Sequence, residues 1–475
     1  PHASSTTEWW YLNTHLEAFD GRKFSLFASF FRVLKGRDEQ TGALEYAHSL
    51  TWALSDVTTG AYYGESRVDK DAPRMGLEKL ERGEGTKDHR IRRAAREVLD
   101  KGRVPYPDQM FEGDVFVGSR RLELDFDGQC FKKLDNGSYA LNLFHDHFKV
   151  GCKLVFSPEV SPVRHGHDGV VKGTCGEDMF YYFIPKCTVR GSLTVDGGEV
   201  RVAKGLGWYD HEFGRHGHDL REGQAHDVAW NWLALQFDDG RQLSAYTLVD
   251  ANTERVLDER AIVVEADGTP SYYDHISFSA ENLWRSTRTF QEYPTAWRLH
   301  VPEAGIDVRA KASFDDQEFV TLISKPAFWE GRIEVEGVAG GSPIGGVGFL
   351  ERSGFSNIDT LGDFFASVGR EVRRSVAEVA PFDPSFERAL ELIGTSERPD
   401  VMKGVDIPTF TDTMIRPVRE IADRGGKSWR SYAALACCDI VGGDSREFVQ
   451  WLALPEFMHV GSLIVDDVQD KSELR

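Results

Sequence analysis

From about residue 8 to 354, apolar and polar residues alternate in short, aromatic-rich segments, the two-residue period of strands that bury one face. Turn sequences punctuate the alternation. Asp196-Gly197-Gly198 interrupts Ser192 to Val202, Asp238-Asp239-Gly240 lies between Trp232 and Tyr246, and Ala266-Asp267-Gly268 separates Ile262 to Glu265 from Tyr272 and Tyr273. The pattern predicts an antiparallel β region, sandwich or barrel. Residues 75–102 break it: highly charged and poor in apolar positions, they predict a helical excursion, either solvated or acting as a lid over a pocket.

After Phe355 the period changes. Leu361, Phe364, Phe365, Val368, Val372, Val376 and Val379 recur at helical spacing, Pro381 and Pro384 end the run, and Phe386 to Ile393 begins another. The predicted organisation is therefore a β region over 1–354 and a helical region over 355–475.

Length agrees with a multidomain chain: 475 residues, at about 150 per domain, give two or three domains. A formal charge of −20 argues against nucleic acid and anionic membrane surfaces as partners, and any polyphosphate ligand would need a cation or a local Lys/Arg cluster. The six cysteines form no CxxC pair, and Cys437-Cys438 falls in an apolar helical stretch that predicts buried free thiols. These features predict a reducing cytoplasmic location. No apolar run approaches the roughly eighteen residues of a membrane span, and no cleavable signal is visible, so no stable membrane insertion is expected. The chain opens at Pro1 without Met and stops at Arg475, which predicts an excerpt of a longer polypeptide.

Two β segments carry candidate chemistry. Glu8-Trp9-Trp10-Tyr11 opens the chain, and Gly207-Trp208-Tyr209-Asp210-His211-Glu212-Phe213-Gly214 follows in its middle. Asp210, His211 and Glu212 can move protons, while Trp9, Trp10, Trp208, Tyr209 and Trp232 can wall an apolar cavity. Aromatic faces stabilise a nearby cation by roughly 0.5 to 2 kcal/mol each, and a buried carboxyl stays protonated and can deliver a proton to an alkene. In a strand, however, Asp210 and Glu212 share one face and His211 takes the other. The alternative is a structural hydrogen-bond cluster; metal binding by His165, His167 and His211 lacks ligand spacing.

Near the end, Glu456, His459, Leu463, Asp466, Asp467 and Asp470 recur every three or four residues, a polar stripe on one helix face. Asp466, Asp467 and Asp470 repel one another unless a divalent cation neutralises them, and oxygen ligands suit Mg²⁺. A solvated acidic helix end is the plainer alternative.

The β motifs resemble the lipocalin-like family that includes carotenoid hydratase (hydroxyneurosporene synthase), AttH-type proteins and fungal decalin-forming pericyclases. The likeness rests on the Glu8-Trp9-Trp10-Tyr11 opening, His165-Gly-x-Asp-Gly169, Tyr181-Tyr-x-x-Pro185, the Trp208 to Gly214 block, Phe328-Trp329-Glu330-Gly331 and Gly346-x-Gly-Phe-Leu-Glu351-x-x-Gly354. It implies two lipocalin-like β-barrels and proton donation by Asp210 with Trp208 as its aromatic neighbour; no cofactor is expected there, and Glu212 or His211 would tune or relay the proton. Glu8, Trp9, Trp10, Tyr11, Tyr209 and Trp232 would contact substrate.

Gly425-Gly-Lys427-Ser-Trp-Arg430 and the following Glu456-x-x-His459-x-x-Ser-Leu-x-x-Asp466-Asp467-x-x-Asp470 resemble the first half of the trans-polyprenyl diphosphate synthases, an all-α isoprenoid-synthase fold. The resemblance assigns Gly426, Lys427, Arg430, His459 and Arg475 to diphosphate binding, Asp466, Asp467 and Asp470 to Mg²⁺, and implies a homodimer through the helices. Ser428 and Ser431 replace the family's Arg and Pro, and a second aspartate motif is missing, so this domain is truncated here. Together the halves predict a bifunctional terpenoid enzyme: Mg²⁺-dependent prenyl diphosphate condensation or binding, then acid-initiated cyclisation or hydration in the β region. The alternative is a cofactor-free isomerase or pericyclase, or a prenyl-binding module, beside a degenerate helical domain.

Overall fold

The computed structural model describes the chain apart from residues 3, 39, 167, 173–177, 216–227, 252, 254, 322–326, 356–357, 359, 394–396, 399, 401–402 and 473–475. His167 and Arg475, singled out above, and Cys175, one of the six cysteines, lie outside the described residues. The chain divides into two compact units, Pro1–Gly85 with Arg92–Trp284 and Tyr293–Ser356, and Thr86–Ile91 with Arg285–Glu292 and Asn357–Arg475.

The first unit is two curled sheets, of 14 and 10 strands among the described residues, antiparallel apart from one short pair, Ala61–Val68 with Gln109–Met110. They are half-barrels: along neither sheet do the two end strands pair among the described residues. Strand alternation sorts side chains into three cores. Trp10, Leu12, Phe24, Trp52, Phe131 and Tyr209 fill the first sheet, and Leu233, Trp297, Trp329 and Leu350 fill the second. A third cluster draws Tyr11, Phe27 and Trp208 from the first sheet and Trp232, Phe319 and Phe328 from the second.

The predicted turns sit where the ladder reverses. Asp196 and Gly197 both have positive φ (51° and 76°) between the strands Asp178–Val195 and Gly198–Arg215, the backbone a two-residue hairpin turn requires. Gly240 and Gly268 take φ of 90° and 89° at the other two. The charged excursion forms two helices, Ala72–Glu81 and His89–Leu99.

In the second unit, helix Leu361–Val379 starts at Thr360, whose side chain and that of Asp363 cap each other's backbone amides. Its stripe of Val368, Val372 and Val376 packs with Phe290, Leu435 and Leu452. Two expectations are corrected here. Helix Trp429–Ile440 buries Ser431 and Leu435, which leaves Cys437 off that face and exposed. Ser445–Asp470 is long and apolar enough to cross a membrane by length and composition, because an average over a window of 18 residues tolerates two charges that break a continuous apolar run.

Candidate active site

The opening strand, Thr7–Ala18, lies antiparallel against Gly198–Arg215 with Trp9 opposite Glu212, Tyr11 opposite Asp210 and Asn13 opposite Trp208. Directly opposed residues share a face. The alternate set, Glu8, Trp10, Tyr209 and His211, therefore points the other way, and Trp10 and Tyr209 are in the first-sheet core. The structure splits the predicted residues accordingly: Trp9, Tyr11, Trp208, Asp210, Glu212 and Trp232 come together, while Glu8, Trp10, Tyr209 and His211 form a separate group.

The first group meets two carboxyls not selected from the sequence. Glu330 and Glu351 are cross-strand partners in the hairpin Ala327–Ala339 and Ser342–Ser353, and Glu351 also opposes Trp232. The Tyr11 hydroxyl donates to Glu330 Oε1 at 2.6 Å, and Tyr62 donates to the Glu330 carbonyl at 3.0 Å. On the first sheet, Trp208 Nε1 donates to Asp210 Oδ1 at 2.9 Å, and Tyr181 also hydrogen-bonds Asp210. Aromatic rings line this cluster. Trp208 stacks on Phe183 at 5.0 Å, and Trp232 sets its edge to Tyr11 and Trp208 at 5.3 and 6.3 Å.

Burial dominates the electrostatics. It pushes the Asp210 carboxyl up to about 8 despite the Trp208 and Tyr181 hydrogen bonds, and Glu351 to about 7 despite one from Trp230. Burial, then the repulsion of Glu351, holds Glu330 well above the ordinary carboxyl range, and burial with Asp210 does the same for Glu212. Near neutrality Asp210, Glu212 and Glu330 are carboxylic acids and Glu351 is close to half ionised, all beside indoles and phenols and able to exchange protons.

The second group is an ion-pair network. Glu8 is fully buried and bonds Arg32, His211 Nε2 at 2.9 Å and His2 Nδ1 at 3.0 Å; Tyr182 completes His211 through Nδ1 at 3.0 Å. Burial opposes ionisation of Glu8, but the hydrogen bonds of His2 and His211 and the Arg32 charge hold its carboxyl well below the usual range. Single ligand atoms of His2, Glu8 and His211 lie within 4.8 Å of one another, yet the Arg32 guanidinium already neutralises the carboxylate. His165 is elsewhere, buried, stacked on Tyr181 at 3.9 Å and 3.1 Å from Ser244 Oγ; burial pushes it down to about 3, so it is neutral.

In the helical unit, helix Ala453–Asp470 carries His459, half-buried, with Asp466 and Asp470 exposed and Asp467 intermediate. Lys427, Gly426 and Arg430 are exposed, and Ser428 is buried at a left-handed φ of 47°. Asp467 lines a groove of about 430 Å³ with Pro417, Ile421, Ile464, Val468 and Lys471. Among the described residues the three aspartates do not converge on one point as His2, Glu8 and His211 do. Their oxygen-only chemistry and exposure fit Mg²⁺, which takes one or two carboxylates and completes its shell with water and substrate phosphate.

Comparison with known proteins finds two families and a shared fold. The AttH-like family model matches residues 1–355, and the polyprenyl synthetase model matches residues 411–475. A putative AttH from Nitrosomonas europaea is 21% identical, with a TM-score of 0.56 over 75% of this chain and 95% of its own. Kievitone hydratase from Nectria haematococca is 16% identical, with a TM-score of 0.53 over 74% of this chain and 90% of its own. No curated protein matches the chain.

Proposed function

The chain belongs to the AttH-like family, and from that premise we propose that its β unit carries out acid-initiated cyclisation or hydration of a prenyl chain supplied as a diphosphate by the helical region. One observation carries the reading: Asp210, protonated near neutrality, is held by Trp208 and Tyr181 beside an aromatic wall. Protonation of a terminal isoprenoid alkene by Asp210 forms a tertiary cation, which the faces of Trp208, Trp232 and Trp9 stabilise by roughly 0.5 to 2 kcal/mol each. An internal alkene or water then captures it. The fold accommodates hydration in the kievitone hydratase, although fold alone does not fix a reaction.

In the helical region, Asp466, Asp467 and Asp470 would hold Mg²⁺, which neutralises diphosphate charge. Lys427, Arg430 and His459 would bind the diphosphate itself, within a partial polyprenyl synthetase domain. Burial of Ser428, where the synthases carry an arginine, favours a second reading in which this region only binds prenyl diphosphates or is degenerate, and the β unit acts as a cofactor-free isomerase or pericyclase or a prenyl-binding module. Incubation with isopentenyl and farnesyl diphosphates and Mg²⁺, with products resolved by mass spectrometry, tests both. A cyclised or hydrated product of an elongated chain supports the first reading; no elongation of either diphosphate, with a supplied polyene still isomerised or bound, supports the second.

A further inference from the structure

Cyclisation or hydration must release a proton at its end, and either the carboxylate left on Asp210 or a second group has to take it. The product cation loses H⁺ from an adjacent carbon, or from the water that captures it. A donor buried to 3% exposure also has to be reloaded.

The arrangement of Tyr11 offers a solution. It is the direct cross-strand partner of Asp210, placing their Cβ atoms about 4.5 to 5.5 Å apart, and its hydroxyl crosses to the second sheet to bond Glu330 at 2.6 Å. Glu330 is itself paired with Glu351. Tyr11 thus stands between Asp210, its strand partner, and Glu330, its hydrogen-bond partner, within an otherwise apolar cluster drawn from both sheets. Glu330 is 3% exposed, its backbone carbonyl is pinned by Tyr62, and Asn13 Nδ2 reaches the Tyr11 oxygen at 3.4 Å. A purely structural ion pair would pair Glu330 with a cation; here a phenol and a second carboxyl are its partners.

We propose that Glu330 is the proton acceptor of the β-unit reaction and that Tyr11 relays its proton to Asp210. Asp210 gives its proton to the alkene, forming a C–H bond and leaving a carboxylate. Tyr11 passes its hydroxyl proton to that carboxylate and receives the proton of Glu330. The Glu330 carboxylate then accepts the proton lost by the cation, the C–H pair becoming the new C=C, or the proton lost by the water whose lone pair has formed the C–O bond, the O–H pair returning to the oxygen of the alcohol. The three groups end as they began, with no external acid or base.

This inference rests on the proposed function, and the test separates the two. Wild type, Asp210→Asn, Glu330→Gln and Tyr11→Phe are given farnesyl diphosphate and Mg²⁺ in D₂O, and single-turnover deuterium incorporation is followed alongside steady-state turnover. Glu330→Gln keeps an acceptor for the Tyr11 hydroxyl. The expected result is an intact first protonation, an unchanged KM and turnover reduced about 100-fold or more, with Tyr11→Phe following the same pattern and Glu330→Asp recovering part of the rate. Should Glu330→Gln fail to fold, Tyr11→Phe decides by the same readout. Wild-type turnover in both variants, or equal loss of the first protonation and of turnover, overturns the relay while leaving Asp210 in place. Activity in Asp210→Asn, or no conversion by wild type, sinks the reading on which it rests.

Discussion

Trp10 and Tyr11 are adjacent in sequence and serve different ends: Trp10 fills the first-sheet core, while Tyr11 crosses toward the second sheet. The same parity separates His211 from Asp210, so the two carboxyl environments respond to pH in opposite ways. Asp210, raised to about 8 by burial, binds a proton in the folded protein that the unfolded chain releases near pH 4. Stability is therefore lost as pH rises from about 4 to 8, on the order of several kcal/mol. Asp210→Asn should melt above wild type at pH 9 and converge with it near pH 4. Initiation should likewise fall as pH climbs through 8. Glu8, held low, stabilises above the ordinary carboxylate range and loses that contribution as pH drops through its depressed value. Glu8→Gln strips Arg32 of its buried counter-ion, and denaturant unfolding should show a loss of about 3 to 5 kcal/mol. Its product profile should be unchanged, because Glu8 is on the far face. Strand parity made the Asp210/His211 split legible in the sequence. Glu330 and Glu351 lay within quoted motifs but were not singled out, since alternation along one strand does not say which strand of another sheet will face it.

Elements were legible where local chemistry dictates them: Asp-Gly turns and the proline-ended stripe of Leu361 to Val379; the Thr360 cap emerged only with the structure. Close approach between strands was not. A Cβ on Gly207 would sit 2.6 Å from Phe156 Cδ1 and Val189 Cγ2, one step from Trp208. Gly207→Ala should destabilise by about 1 to 3 kcal/mol in chemical denaturation, and shift the Trp208–Asp210 pair enough to lower turnover. The helix bearing Asp466, Asp467 and Asp470 was anticipated from its period. The exposure of Cys437 was not, because an apolar sequence does not reveal which face finds a partner.

On the scale of the whole molecule, a chain with formal charge −20 combines an AttH-like region with part of a polyprenyl synthetase. Under the proposed division of labour, chelation with EDTA should abolish elongation from isopentenyl diphosphate and leave conversion of a preformed, phosphate-free polyene by the β unit intact, as product analysis would show. Ordered motifs made both regions recognisable, whereas the four-carboxyl cluster exists only once the two sheets are brought together. The central claim is that Asp210 donates the initiating proton. The most direct measurement is mass spectrometry of products formed in D₂O by wild type and Asp210→Asn. The account predicts one solvent deuterium in the wild-type cyclised or hydrated product and none of that product from the variant; the same labelled product from Asp210→Asn would contradict it.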